Sequence, residues 1–316
     1  VRTIVPFAGC FTADPERKRL ARVVFVGLPD DSQSSYRRGA AGGPARMRTA
    51  YDGRCYNSAT ESGVDLAGTV ADLGDWPPLD TWEATAASYR DQAAAIFRAG
   101  RIPFFAGGDH AVTVPIAAAL DTLGEPVHLI QLDAHPDLYL EFGGSRTSHA
   151  CAAARMLEMD HVAGVTQLGV RTMNPEQAKV VERYRGRLRI VPPIELAGPW
   201  RDRSPVPAGA PVYVSVDLDG LDPSCAPGVS HPVPGGLTTR QVLDIVASLR
   251  GRLVGMDVVE LNPHLDVRDL AALAGARILH EGMGVAVRQL TGGAGRPPRP
   301  LPGDPEASAR PGRDAS

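Results

Sequence analysis

Cysteine is scarce in this sequence: Cys10, Cys55, Cys151 and Cys225 are its only four, widely spaced. None forms a Cys-x-x-Cys pair, which argues against a thiolate zinc site and leaves free thiols in a reducing compartment as the expectation. A large charge of one sign is missing as well. The net charge is −3, so nothing favours nucleic acid or an anionic membrane surface as a partner. No apolar run approaches the roughly 20 residues that a spanning helix needs. The segment Val1-Arg2-Thr3-Ile4-Val5-Pro6-Phe7 lacks the basic-then-apolar layout of a signal peptide. A cytoplasmic location is therefore expected.

What remains is a chain of 316 residues, 43% hydrophobic, enough for one large α/β domain with a sizeable core. Short apolar or β-branched runs alternate with Ala-rich helical stretches. Strands are predicted at 23–27, 101–106, 128–132, 167–170, 188–191, 212–218 and 253–259. Helices are predicted at 82–99, 112–123, 148–159, 175–184, 239–249 and 267–289. Pro115 falls in a first helical turn, where its missing N–H is tolerated. The alternation predicts an α/β fold, a parallel sheet covered by helices on both faces. Residues 1–20 are expected to be loosely attached and 21–291 to form a single domain. Residues 292–316 hold 5 Gly and 6 Pro among 25, too little apolar surface to offset chain entropy, and are read as disordered.

Three clusters carry chemistry. Asp133-Ala134-His135-Pro136-Asp137 closes one apolar segment, Ser215-Val216-Asp217-Leu218-Asp219 closes another, and Gly107-Gly108-Asp109-His110 follows a third. In open α/β sheets, ligands bind outside the carboxyl ends of the strands. Residues two apart in an extended chain point the same way, so Asp133, His135 and Asp137 are expected to share one face. Asp217 and Asp219 would share another, with His110 entering from its loop. Four carboxylates together carry about −4 and oppose folding unless compensated. Two divalent cations would neutralise them. Oxygen ligands with two imidazoles and no thiolate favour a hard to borderline ion such as Mn²⁺. Two such ions about 3.5–4 Å apart lower the pKa of a shared water, which points to hydrolysis.

The flanking residues read as follows. Asp109 is expected to cap the helix that follows it, and Asp222-Pro223 to shape a turn. His149, opening a helix, is a proton shuttle or substrate contact, or else a local cap. Glu260, at a strand end, offers a carboxylate to a cationic substrate. Asp257 on the same strand could be a buried structural acid. His128, His161, His231, His264 and His280 have no partner pattern and read as structural or solvated.

These motifs resemble the ureohydrolases, the arginase and agmatinase family. The resemblance rests on the three clusters, on Gly220-Leu221-Asp222-Pro223 extending the second, and on Pro234-Gly235-Gly236-Leu237. It rests also on Asp257-Val258-Val259-Glu260-Leu261-Asn262-Pro263 and the early Arg38-Gly39 and Gly43-Pro44, and runs from about residue 22 to residue 290. It implies a single three-layer α/β/α domain around an eight-stranded parallel sheet, with a binuclear manganese centre. One ion would take His110, Asp133, Asp137 and Asp217, the other His135, Asp133, Asp217 and Asp219, so that Asp133 and Asp217 bridge. The family hydrolyses a small guanidino substrate to urea and an amine, usually as a homotrimer or homohexamer. Glu260 would orient the guanidino group, Asp137 would pass a proton to the leaving amine, and His149 would relay protons.

The substrate's tail is read, in this family, by the loop after the first metal cluster, here residues 138–148. It lacks the Ser-Gly-Asn-x-His-Gly pattern of arginases, and Ser148-His149-Ala150 is similar to the agmatinase branch. That implies agmatine hydrolysed to putrescine, with Glu141 meeting the free amine. Arg146 would instead meet a carboxylate, as in guanidinobutyrate. The Gly143-Gly144 pair is expected to loosen the loop. The alternatives are a guanidine or formimino-group hydrolase, where nickel is conceivable, and a metal-binding homologue without turnover.

Overall fold

Strands whose every residue is apolar on both faces, such as Val23-Val24-Phe25-Val26, can only sit inside a sheet covered on both sides. The computed structural model, which describes residues 4–196 and 206–292, places them so. Eight strands form one parallel sheet: β1 (Val23–Leu28), β2 (Val70–Asp75), β3 (Ile102–Gly107), β4 (Val127–Leu132), β5 (Val162–Leu168), β6 (Leu188–Val191), β7 (Pro211–Asp217) and β8 (Arg252–Val259). Their order is β2-β1-β3-β8-β7-β4-β5-β6. Alternate side chains feed two cores: Phe25 and Phe104 enter one, Val24, Val26 and Phe105 the other.

Helices α2 (Gly43–Ala50), α7 (Thr239–Ala247) and α8 (Leu270–Thr291) cover the first face through Met47, Val242 and Ile278. Helices α3 (Trp82–Arg98), α4 (Thr113–Ala119), α5 (Ala152–Leu157) and α6 (Pro175–Arg183) cover the second through Tyr89, Ile116, Met156 and Val180. The three-layer α/β/α architecture is therefore the one expected. Four adjacent central strands, β3, β8, β7 and β4, end at Gly107, Val259, Asp217 and Leu132. Their carboxyl ends are where all three sequence clusters arrive.

The structure corrects several expectations. Strand β2 was not anticipated, because Val-Ala-Asp-Leu-Gly-Asp is half polar; it is an edge strand buried only at its start. Strand β5 begins at Val162, before the expected 167, because its first turn around Gly164 carries little apolar signal. The expected helix 112–123 is α4 flanked by 3-10 turns. Residues 4–20 are not loosely attached. Phe7 and Cys10 are fully buried, Phe7 stacks on Phe11 at 5.2 Å and meets Phe25 and Tyr51, and α1 (Pro15–Leu20) follows with Asp14 as its cap. The aromatic cluster and backbone bonds such as Ala8 N–H to Tyr51 and Gly53 N–H to Val5 hold the segment.

One helix, α8, is long and apolar enough to cross a membrane by length and composition alone, against the expectation that none would be. Most of its apolar window is buried in the protein, where it packs on α7 and β8 as a core helix. The reading of 292–316 as disordered falls, beyond Gly292, outside the described residues.

Candidate metal centre

Asp217 and Asp219 each have one oxygen tied back by the chain, leaving the other to face inward. The 217–220 segment turns into a 3-10 turn at Leu218–Gly220, and Asp217 Oδ1 accepts from the Asp219 N–H at 2.8 Å. Asp219 Oδ1 accepts from the Ala134 N–H at 3.1 Å, which crosslinks the ends of β7 and β4. Asp133 Oδ1 accepts from the His135 N–H at 2.7 Å, and its Oδ2 from Gln131 Nε2 at 2.7 Å. The expected residues converge, but not by extended alternation. Segment 133–137 bends, and Asp137 lies in the left-handed region at φ 49°. A non-glycine residue there is strained, and such strain concentrates at functional sites. Glu260 adopts φ 66° just past β8, swinging its carboxylate under the loop that bears His110.

His110 opens a 3-10 turn behind Asp109. The close approach of this loop to β1 requires Gly108, whose added Cβ would lie 1.9 Å from the Asp30 carbonyl oxygen. The imidazole of His110 is fully buried, and a hydrogen-bonded chain fixes its tautomer. Asp257 accepts from Ser215 Oγ at 2.6 Å, from Tyr213 at 2.8 Å and from Thr113 at 3.0 Å. Ser215 spends its one proton on Asp257, so at 3.0 Å it accepts from His110 Nε2. That leaves His110 Nδ1 bare. It faces Asp137 Oδ2 at 3.0 Å, Asp133 Oδ2 at 3.1 Å and Asp217 Oδ2 at 3.3 Å, and it has no hydrogen-bond partner. Lone pairs of one nitrogen and three carboxylates directed at one point call for a cation there.

His110, Asp133 and Asp137 offer ligand atoms within 4.8 Å of one another, and so do Asp133, His135 and Asp219. Asp133 belongs to both groups. His135 Nδ1 lies 3.0 Å from Asp219 Oδ2 and 3.7 Å from Asp133 Oδ1. The donor set therefore fits two cations sharing Asp133. The protonation pattern says the same. Burial, then the charges of Asp137 and Asp219, push Asp133 up to about 7, and burial with Asp219 and Asp133 raises Asp217 well above the carboxylate range. Burial alone would depress both imidazoles; the carboxylates outweigh it, raising His110 well above its usual value and His135 to about 9. These four groups shift so as to gain positive or lose negative charge, whereas Asp219, against its burial, is lowered to about 2 by the hydrogen bond from His135.

Beside this centre, His149 Nδ1 donates to Glu260 Oε1 at 2.7 Å, and the His110 N–H donates to the same oxygen at 2.9 Å. Glu260 Oε2 has no protein hydrogen bond among the described residues, and Glu260 lines the cleft. Burial opposes a charge on His149, yet Glu260 lifts it to about 9. The Ser35 N–H and Oγ, at 3.2 and 2.8 Å from Nε2, hold the other face of the ring. The cleft encloses about 290 Å³. Its inner end is acidic; its mouth is Tyr139, Phe142, Met173, Asn174 and Gln177.

The residues singled out in the sequence are placed as follows. Asp109 caps, accepting from the Ala111 N–H, and also holds the Gln33 N–H. Asp257 is the buried acid behind His110. Asp222 shapes its turn, accepting from Ser224, Gly235 and Gly236. Glu141 and Arg146 do not line the cleft: Glu141 is exposed and Arg146 lies 3.4 Å from Glu158. Gly143 and Gly144 do not loosen the loop. Both adopt positive φ and close a two-residue turn in which Phe142 and Ser145 exchange hydrogen bonds of 2.9 and 3.0 Å.

Three contributors were missed. His231 is neither remote nor merely structural: its ring lies 5.2 Å from that of His149 and 6.0 Å from that of His135, on the cleft wall. No local pattern marks it, because only tertiary packing brings its loop over the site. Ser35 arrives from the β1 loop in the same way. Arg171 donates to the backbone carbonyls of Gly169, Asp219, Gly220, Leu221 and Val233, locking the β7 turn from behind. The Gly169-Val-Arg171 run just past β5 was its only signal.

Comparison with known proteins gives a consistent picture. A model described as the arginase family matches residues 21–284. The chain is similar to the mitochondrial arginase of Medicago truncatula, 34% identical over 269 residues, which cover 81% of this chain and 79% of that protein. It is 33% identical over 271 residues to a guanidinobutyrase of Pseudomonas aeruginosa, with 81% and 84% covered. It is also 33% identical over 270 residues to the mitochondrial agmatinase of Gallus gallus, with 81% and 78% covered. The solved structure of the arginase from Medicago truncatula superposes with a TM-score of 0.75, covering 84% of this chain and 88% of that one.

Proposed function

The chain belongs to the arginase family, and from that premise we propose a binuclear metal-dependent hydrolase that cleaves a guanidino C–N bond. The reaction consumes one water and turns a substituted guanidinium ion into urea and a protonated amine. The observation that carries this reading is the bare His110 Nδ1 and its three facing carboxylates, set beside Glu260 on the cleft wall. His110, Asp133, Asp137 and Asp217 would hold one cation, and His135, Asp133, Asp217 and Asp219 the other, with Mn²⁺ taken from the family. When bound, the ions supply an acidified water as nucleophile.

The rest is done by side chains. Glu260, its Oε1 engaged by His149 and the His110 amide, turns Oε2 to the cationic guanidino group through a charge-assisted hydrogen bond. This orients a poor, resonance-stabilised electrophile for attack. Asp137, at the boundary between the centre and the cleft, passes a proton to the leaving nitrogen. His149, held between Glu260 and Ser35 on the cleft wall, relays protons at the reacting group.

The loop sequence points to agmatine, yielding putrescine, but Glu141, expected to meet its free amine, lies off the cleft. The relatives do not choose among tails, since arginase, guanidinobutyrase and agmatinase stand at 33–34% identity. The test is urea release by chelator-stripped protein reloaded with Mn²⁺, assayed against arginine, agmatine, guanidinobutyrate and simple alkylguanidines. Urea that appears only after reloading supports the reading. Metal binding without urea from any guanidino compound refutes it.

A further inference from the structure

The mouth of the cleft carries no charge of its own. Among the described residues, no Lys or Arg lines the cleft, and every acid that does is Glu260 or an acid of the metal centre. The two sequence candidates for reading a charged tail, Glu141 and Arg146, both lie off it. In their place stand two amides at the start of α6, and these are already engaged. Asn174 Oδ1 accepts from the Gln177 N–H at 2.9 Å, and Gln177 Oε1 accepts from the Asn174 N–H at 3.1 Å, forming a capping box. Asn174 Nδ2 donates to the Tyr139 hydroxyl at 2.7 Å. Each amide oxygen already accepts one hydrogen bond at the helix end, and neither carries a net charge to set against an ammonium ion. Around them, Tyr139 and Phe142 pack at 4.9 Å, and Met173 is 47% exposed beside them.

We propose that this site takes guanidino substrates whose free end is uncharged, with Tyr139, Phe142, Met173, Asn174 and Gln177 as the specificity-determining mouth. The inference rests on the guanidino-hydrolase reading above. An ammonium or carboxylate entering this mouth loses water and meets no opposite charge, which is costly. The cation–π attraction of Tyr139 and Phe142 for an ammonium ion is too weak at a partly open mouth to repay that dehydration. An alkyl or aryl end meets two rings and a thioether and loses nothing. The small cleft limits that end to a short chain or a single ring.

Three guanidines of matched length test this: n-butylguanidine, agmatine and 4-guanidinobutyrate. The expected kcat/KM for n-butylguanidine exceeds those of the other two by about tenfold or more. Agmatine or guanidinobutyrate as the best substrate overturns the proposal. Gln177→Glu adds a carboxylate at the mouth and keeps the capping box, because Glu serves equally at that position. It is expected to improve agmatine about tenfold relative to n-butylguanidine and to worsen guanidinobutyrate. A variant that leaves the three ratios unchanged shows that the free end lies elsewhere, and refutes the assignment. If none of the three releases urea, the guanidino reading falls. Calorimetric binding of the same compounds, then free of turnover, still decides whether the mouth prefers the uncharged end.

Discussion

Ser215→Ala isolates the hydrogen-bonded chain behind the metal centre without touching a ligand. The hydroxyl makes two buried contacts, 2.6 Å to Asp257 and 3.0 Å from His110 Nε2. Its removal leaves the His110 Nε2–H with no acceptor, a cost of about 1–3 kcal/mol for a buried donor. Asp257 keeps two donors, Tyr213 and Thr113, so its own loss is smaller. The imidazole escapes the cost by moving its proton to Nδ1, where three carboxylates accept it. That proton then competes with the metal. Partners that orient a metal-binding histidine are worth about 10–100-fold in affinity, which is about 1.4–2.8 kcal/mol. Calorimetric titration of Mn²⁺ into chelator-stripped protein should show that loss. Tyr213→Phe is the control: it removes a donor from Asp257 but leaves Ser215 and His110 paired. The reasoning fails if Ser215→Ala binds both ions with unchanged affinity, or if Tyr213→Phe weakens binding as much.

Further outcomes follow from the same geometry. Asp133→Asn should lose both ions, whereas Asp219→Asn should keep one, and metal content per chain decides; equal losses would contradict the shared role of Asp133. Glu260→Gln removes a charge-assisted hydrogen bond worth about 1.5–3 kcal/mol, so kcat/KM should fall about 10–150-fold with both ions retained. The metal-free protein should lose stability as pH rises. Asp133, raised from 3.8 to about 7, and His135, raised from 6.5 to about 9, both keep protons in the fold that the unfolded chain has released. Their contribution fades as pH climbs through those values, while Asp219, lowered to about 2, acts in the opposite sense only in acid. Thermal melts at about pH 5 and about pH 8, with and without Mn²⁺, should show the decline and its removal by metal; a metal-free protein more stable at the higher pH would sink the account. Phe7→Ala should cost about 3–5 kcal/mol, measured by denaturant unfolding, because the N-terminal arm is part of the core.

How far the sequence was legible depended on whether a residue's role is local. The sheet was readable because central strands such as Val23-Val24-Phe25-Val26 are apolar on both faces, a signal that needs no knowledge of neighbours. The edge strand β2 was not, because its outer half faces solvent and reads as a loop. Likewise the metal-facing residues were found from clusters at strand ends. The means of their convergence was not, since a left-handed Asp137 cannot be read from composition. His231, Ser35 and Arg171 each reach the site from a different loop, and their roles exist only once the loops pack. Glu141 and Arg146 failed for the converse reason. Their charges suggested a tail-reading role, but the tight turn at Gly143-Gly144 holds their loop so that neither lines the cleft.

The division between the two ends of the cleft has a physical basis. The inner end is built from residues at or just past the ends of four adjacent strands, and sheet hydrogen bonds fix the spacing of those ends: Asp217 pairs in register with Val259, and Leu132 with Val216. A carboxylate placed there cannot drift, which is what a shared, highly charged centre requires. The mouth is built instead from the 139–142 loop and the first turn of α6, whose backbone serves a capping box whether the side chains are amides or acids. The capping box therefore survives an exchange of amide for acid at the mouth, while a change of acid to amide at the inner end removes a metal ligand. One chemistry with many tails is the expected consequence of such a site. Relatives that differ in the tail they accept can then be equally similar to this chain, as the arginase, guanidinobutyrase and agmatinase are.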